Sequence, residues 1–327
     1  MPRCVQLAAE EPGGLLNARQ QIDHFLCQAL RGEPEPWSAL DSVVGSEQVL
    51  SRCRQQGVAS LVHHSVKGHP VGQSWPQDFR KSLEVISKAQ VAQEMLRGHR
   101  LCKLLRRFAE LDVRCLVIKG EALAQTLYPV PGTRTRCDSD LFIDMADIDK
   151  VSQAIDDCGF VIGYPLYKSH QFTVRGKGPD AGSFEFDVHW RILNAPRFSR
   201  KITFDEAFDH SVELTGMEPA RTLNAVDTLL LMCMHRSGSE WHDVNRLIWI
   251  YDLHQLVNGM ATGELLEFAR KAVGLDVQWA CREGLLKAQS LFTTVVPADV
   301  LVVLDTPERQ PGFARRLKDS NLGLLMD

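Results

Sequence analysis

Asp138 and Asp140 stand one residue apart at the head of the apolar run Leu141-Phe142-Ile143. Asp187 lies further on, in Ser183-Phe184-Glu185-Phe186-Asp187-Val188-His189-Trp190-Arg191-Ile192. In an extended chain, residues i and i+2 project to one face, so the first two carboxylates converge on one site. Two anions that close repel each other and favour a bound cation. Mg²⁺ takes hard oxygen ligands and keeps waters and substrate phosphates in its shell. The three aspartates are therefore the set needed to hold two divalent cations against a triphosphate. A DxD alone is common and equally describes a turn that caps a neighbouring element. The apolar strand after it and the third aspartate set this one apart.

The 183–192 segment alternates strictly, placing Glu185, Asp187, His189 and Arg191 on one face and apolar residues on the other. An ordinary amphipathic strand with a solvated face has the same pattern. Paired with the earlier DxD, Asp187 gains a role as the ligand that completes one cation's shell and accepts the nucleophile's proton. Lys119-Gly120-Glu121 falls at a strand-to-helix turn. Glycine there lets backbone approach a phosphate, the helix N-terminus offers free N–H groups to an anion, and Lys119 can neutralise charge. Equally, Gly120 only makes the turn. No GxxxxGK[ST] loop occurs. Arg134 and Arg136 precede the DxD and either contact a triphosphate or pair with the DxD carboxylates.

Arg246, Trp249 and Asp252, spaced by three, share a helix face downstream of His235 and Trp241. A polar network tying helices together is the expected reading, and contact with a base or acceptor the alternative. His242-Asp243 has the form used by metal phosphohydrolases, although Asp243 is as suitable a helix cap. His63-His64 reads as a surface or helix-packing pair. Neither HExxH nor GxSxG is present.

These residues need elements to position them. Helices are predicted over 15–31, as two short pieces within 37–67, and as a long one over 76–111, where Leu101, Leu104, Leu105, Phe108 and Leu111 make a buried stripe. The pattern changes at Val113. Cys115–Ile118 is a strand, Glu121–Leu127 a helix stopped by Pro129 and Pro131, and Asp138–Ile143 a second strand. Ile148–Cys158 is a helix, with Asp147 as N-cap and Gly159 just past its end. Gln171–Arg175 and Phe184–Ile192 are strands joined through a Gly176–Gly182 turn. From Phe204 onward the chain reads as helical, over 227–234, 244–257, 263–272 and 277–292, with a less regular tail. The fold class is α+β. An N-terminal helical region (1–111) and a C-terminal helical region (204–327) flank a small mixed-sheet core (112–203).

The 327-residue chain is 44% apolar, ample for a sizeable core, and its net charge of −4 gives no global basic field for nucleic acid. Short basic clusters such as Arg97-Gly98-His99-Arg100 read as solvated helix faces. Nine cysteines, widely spaced and without a CxxC, argue against a disulfide framework and against a zinc knuckle. No apolar run reaches the ~18 residues of a membrane span, and Met1–Glu11 lacks the apolar stretch of a secretory signal. A soluble, cytoplasmic protein is expected.

The residues also carry a resemblance. A glycine-bearing strand–helix turn, a DxD strand and a third carboxylate on a later strand, here Gly120, Asp138 with Asp140, and Asp187, resemble the nucleotidyltransferase superfamily typified by DNA polymerase β. More closely, the chain is similar to the bacterial uncharacterised nucleotidyltransferases through Lys119-Gly120, Tyr128-Pro129, Gly132, Arg134, Asp138-Ser139-Asp140, Asp187-Val188-His189-Trp190, His235 and Trp249-Ile250-Tyr251-Asp252-Leu253. The resemblance spans roughly residues 15–260. It departs at Gly120-Glu121, where the superfamily has Gly-Ser or Gly-Gly. The resemblance implies transfer of a nucleoside monophosphate from an NTP to an acceptor, with release of pyrophosphate. It implies Mg²⁺ or Mn²⁺ held by Asp138, Asp140 and Asp187, and a nucleotide held by Lys119, Gly120, Arg134, Arg136 and His189. The acceptor is a small molecule, a protein or a nucleic-acid end. The alternative is a catalytically inactive member that binds a nucleotide or a protein.

Overall fold

The computed structural model describes residues 17–163, 169–177, 185–239 and 244–307. Helices α1 (Ala18–Leu30), α2 (Ser46–Gln56), α3 (Ala59–Val66), α4 (Pro70–Gln73) and α5 (Gln77–Glu110) precede the first strand. The core follows as β1 (Cys115–Ile118), α6 (Lys119–Leu127), β2 (Ser139–Ile143), α7 (Ile148–Asp157), β3 (Phe160–Ile162), β4 (Gln171–Gly176) and β5 (Glu185–His189). Then come α8 (Phe204–Asp209), β6 (Val212–Glu213), β7 (Arg221–Thr222), α9 (Ala225–Ser237), α10 (Leu247–Gly259), α11 (Thr262–Gly274), α12 (Gln278–Phe292) and α13 (Ala298–Leu304).

The strands form one mixed sheet in the order β3-β4-β5-β2-β1-β7-β6. β1 runs antiparallel to β2, and β2 parallel to β5. The register aligns Ile118, Asp140, Asp187 and Thr173 in one row across four strands. Side chains in a row share a face, so the pairing alone delivers two of the aspartates to one place. Leu141, Ile143, Phe186 and Val188 fill the opposite face and pack on the C-terminal half of α5 and on α7. On the aspartate face, Leu116, Ile118 and Phe142 join a core built from helices on both sides of the sheet in sequence, from Phe25 and Trp75 to Phe268 and Phe292. Arg31, just past the end of α1, donates to the Leu291 carbonyl of α12 at 2.9 Å, fastening the two helices together.

The α5 helix serves both cores. Phe79 and Leu83 sit in the first, and Leu101, Leu104, Leu105 and Phe108 in the second. Between them its buried residues are polar: Ser87, Gln90 and Glu94. That polar stretch marks where the 130–136 segment crosses α5. Gly132 packs there so closely that a Cβ on it would lie 2.8 Å from the Val91 Cα. Because that neighbour is helix backbone, Gly132→Ala is expected to destabilise the protein by about 1–3 kcal/mol, read from the urea midpoint. An unchanged midpoint would show that this crossing can relax.

The strands bearing the aspartates lie where the sequence reading places them, with Asp138 one residue outside β2. Asp147 stands at the N-cap position of α7 as expected, without a side-chain cap bond, and Asp144 accepts from the Ala146 amide ahead of it. Three local expectations need correction. The stretch after Phe204 is not purely helical, since β6 and β7 form a hairpin on the sheet's edge. Strand β3 went unread, and α13 orders the start of the tail expected to be less regular. Strands of two or three residues are too short for periodicity to register. Most of the Gly176–Gly182 turn lies outside the described residues.

Candidate metal and nucleotide site

Lys119, the first residue of α6 directly after β1, has a φ of +54°, in the left-handed region. The chain therefore reverses at the lysine rather than at Gly120. This brings the Lys119 Nζ to 2.7 Å from Asp140 Oδ1. The same oxygen lies 2.8 Å from His189 Nε2. A carboxylate only accepts, so Nε2 carries the proton, and the His189 Nδ1 is left buried with no partner among the described residues. Asp187, beside Asp140 in register, is gripped from β4: Gln171 Nε2 donates to one carboxylate oxygen at 2.6 Å and Thr173 Oγ1 to the other at 2.7 Å. Asn194 in turn donates to Gln171 Oε1 at 2.5 Å.

Ligand atoms of Asp140, Asp187 and His189 all lie within 4.8 Å of one another, the spacing of a cation's coordination shell. His189 enters this cluster, whereas the sequence reading placed it with the nucleotide. Asp138 sits immediately before β2, half-buried, and is felt electrostatically by both other aspartates. Burial, then the Asp140 and Asp187 charges, push its carboxyl up to about 6. Burial works the same way on Asp140, but the Lys119 ammonium and the His189 hydrogen bond overcome it and hold that carboxyl well below the usual range. Burial, reinforced by Lys119, lowers the His189 pKa despite the carboxylate it contacts. The cluster thus has more negative charge than its one lysine balances. Hard oxygen donors with surplus negative charge fit a divalent cation.

The two arginines before the DxD are occupied elsewhere. Arg134 is buried and forms a two-pronged pair with Asp252 of α10, Nε to Oδ1 at 3.0 Å and Nη2 to Oδ2 at 2.6 Å. Tyr128 donates to the same Asp252 at 2.6 Å. Arg136 pairs with Glu94 of α5 and with Glu121 of α6. It also donates from Nη1 to the Asp138 carbonyl at 3.0 Å and to Ser139 Oγ at 2.6 Å. Neither guanidinium pairs with a DxD carboxylate, and both are buried against internal carboxylates. Gly120 has its own steric reason, since a Cβ there would lie 2.7 Å from Arg134 Nη1.

Glu121 is wholly buried and accepts from Ser139 Oγ at 2.9 Å, besides pairing with Arg136. The acid beside the glycine turn thus points beneath the strand. Burial, opposed by Arg136 and reinforced by the Glu121 charge, raises the Glu94 pKa.

His235 lies near the end of α9. Its ring meets Trp249 edge-on with centroids 4.9 Å apart, and its Nδ1 is buried without a partner among the described residues. Burial first, then Lys119, pushes its pKa down to about 3, so it is neutral at physiological pH. The charges it feels, Lys119, Asp140, Arg134 and His189, are those of the site. Of the residues expected to tie helices together, Asp252 joins α10 to Tyr128 and Arg134 in the segment between α6 and β2, while His235 feels the Asp140 charge. Trp241, His242 and Asp243 fall outside the described residues.

Gln171, Thr173, Asn194 and Glu94 were not singled out from sequence. The i, i+2 spacing of Gln171 and Thr173, set against Asp187 and His189, carried a signal once the two strands were paired. Glu94 carried none, being one acid among many on a long helix.

A family model for uncharacterised nucleotidyltransferases matches residues 43–293. Among solved structures the chain is similar to the antibiotic-resistance factor ANT(2'')-Ia. The solution structure of that protein shares 15% identity over 60% of this chain and 98% of the other, with a TM-score of 0.40. Its crystal structure with adenylyl-2''-tobramycin shares 12% identity over 56% and 99%, with a TM-score of 0.41. No curated protein matches the chain.

Proposed function

The chain belongs to the family of uncharacterised nucleotidyltransferases, and from that footing we propose that it moves a nucleoside monophosphate from an NTP to an acceptor and releases pyrophosphate, with Mg²⁺ or Mn²⁺. The observation that carries the proposal is the gathering of Asp140, Asp187 and His189 within 4.8 Å, with Asp138 alongside. Bound cations would neutralise the triphosphate and lower the pKa of the acceptor's hydroxyl. Asp138, Asp140 and Asp187 are their proposed ligands. His189 holds Asp140 by its Nε2 proton, and Gln171 with Thr173 holds both oxygens of Asp187. Lys119 and the N-terminal amides of α6 face the phosphates beside Gly120. Arg134 and Arg136 serve the nucleotide indirectly, Arg134 by bracing the Gly120 turn and Arg136 by anchoring the Asp138 backbone. Glu121, whose charge opposes a phosphate, is turned into the interior. This inward orientation supports the active reading over an inactive member that only binds a nucleotide or a protein.

The test is a transfer assay with each α-labelled NTP, either metal and a lysate of the source cells. Label reaching an acceptor with the wild type, and not with Asp138→Asn/Asp140→Asn, supports the reading and identifies the acceptor as small molecule, protein or nucleic acid. No transfer together with no NTP binding would sink it.

Two further outcomes follow from the geometry. Gln171→Ala frees one oxygen of Asp187, and losses of about 10–100-fold in metal affinity are usual when a ligand's support is removed. The Mg²⁺ concentration for half-maximal activity should rise by that order while the unfolding midpoint stays put. An unchanged metal requirement would mean that Asp187 needs no such support. Separately, a cation's ligand must be deprotonated, so apparent Mg²⁺ affinity should climb from about pH 5 to about pH 7 as Asp138 ionises, then level off. Calorimetric titration across that range checks this, and a flat profile would place Asp138 outside the ligand set.

A further inference from the structure

A cavity of about 770 Å³ opens among α3, α4, the first turns of α5 and the Val130–Thr133 segment. It shares no lining residue with Asp138, Asp140, Asp187 or Lys119. Its lining is strongly one-sided in charge: Lys67, Arg80, Lys81 and Lys88, with His63 and His64 beside them. The single carboxylate of the lining, Glu84, is neutralised by Lys88 at 2.7 Å. Lys67, Arg80 and Lys81 have no carboxylate partner among the described residues, in a chain whose net charge is −4. Burial lowers the His63 pKa, and among nearby charges Lys67, His64 and Lys88 act in the same direction against Glu84.

One of these cations, Arg80, is held by a built framework. Gly72 lets α4 close on α3, since a Cβ there would stand 2.6 Å from the Val66 Cβ. Gln73 of α4 then donates to the Lys67 carbonyl at 2.5 Å and accepts from Arg80 Nη1 at 3.0 Å. Arg80 Nε donates to the carbonyl of Trp75, a fully buried ring, at 3.0 Å. The guanidinium is thereby fixed, and its Nη2 makes no hydrogen bond among the described residues. A planar fork held in place with lysines around it suits phosphate oxygens. The volume is that of a small-molecule site. No Phe, Tyr or Trp lines the cavity, so it lacks the stacking platform that single-stranded nucleic acid uses.

We propose that this cavity is a second anion site, which binds a small molecule bearing several phosphate charges through Lys67, Arg80 and Lys81. Val130 and Thr133, which form part of its wall, run directly into Arg134 and Arg136, so its occupancy is placed to be felt at the carboxylates. The inference is independent of the transferase reading.

The test is calorimetric titration of the full chain with inorganic triphosphate in the presence of EDTA, which disables cation-dependent binding at the aspartates. Wild type, Lys67→Glu/Lys81→Glu and Asp138→Asn/Asp140→Asn are compared, each with its thermal midpoint. The wild type and the Asn variant should bind alike at one site, more weakly as salt rises. The charge-reversed variant should bind about tenfold more weakly or worse, with an unchanged midpoint. Absence of binding by the wild type, or equal binding by the charge-reversed variant, overturns the proposal. So does binding lost only in the Asn variant, since that places the anion at the carboxylates.

Discussion

Asp140→Asn and Asp187→Asn should each lower the rate of nucleotidyl transfer by about a thousandfold or more, equivalent to about 4 kcal/mol of lost transition-state stabilisation. The expectation rests on the position of these two carboxylates, side by side on parallel strands, Asp140 held through Oδ1 and Asp187 through both oxygens. Asn is nearly the same shape and keeps the strand pairing, so the loss belongs to the charge. Two controls separate this from unfolding. The far-ultraviolet circular dichroism should be unchanged, and the stabilisation that Mg²⁺ gives the wild type in a thermal melt should disappear. The Asp140 variant also removes the negative charge that Lys119 and His189 share, leaving them a neutral amide oxygen. It is therefore the one of the two expected to alter the melt without metal. If either variant retained activity near the wild-type level, the proposed ligand set would be wrong.

Asp252→Ala should be the most destabilising single change away from the carboxylates, at about 3–5 kcal/mol. It strands the buried Arg134 guanidinium and leaves the Tyr128 hydroxyl without its acceptor. A buried charge left alone costs far more than the net worth of the pair, because its hydration is not replaced. The double variant Arg134→Met/Asp252→Leu removes both charges and should regain much of the loss. Urea unfolding of the singles and the double closes the cycle. A double variant no more stable than Asp252→Ala would show that Tyr128, rather than the stranded guanidinium, dominates. Activity adds a second readout. Arg134 braces the backbone at Gly120, and loss of its anchor should loosen the turn that presents Lys119. The double variant should therefore recover stability more fully than transfer.

Much of the site was legible in the chain. An i, i+2 spacing in an apolar strand is geometry that no tertiary contact can undo, and the alternation around Asp187 marks a second such strand. The partners of the arginines were not legible. Glu94, Glu121 and Asp252 lie 42, 15 and 118 positions from the arginines they hold, on three different helices, and nothing local distinguishes them from solvated acids. Likewise the second strand of the Asp187 grip could be named only once register was known.

By itself the sequence determined which residue types are available and the patterns that display them: apolar stripes for the helices, an apolar run after the DxD, and alternation for the strand that carries Asp187. Those are properties of backbone geometry and hold wherever the elements end up. Only the tertiary structure decided the sign and surroundings of each charge: that Glu121 turns inward, that Arg134 and Arg136 are occupied by internal carboxylates, and that His189 and Lys119 share one oxygen of Asp140. The physical reason is that ion pairing and desolvation act between groups distant in sequence. Their strength depends on burial and on a few ångströms of separation, quantities that exist only once the helices have closed over the sheet.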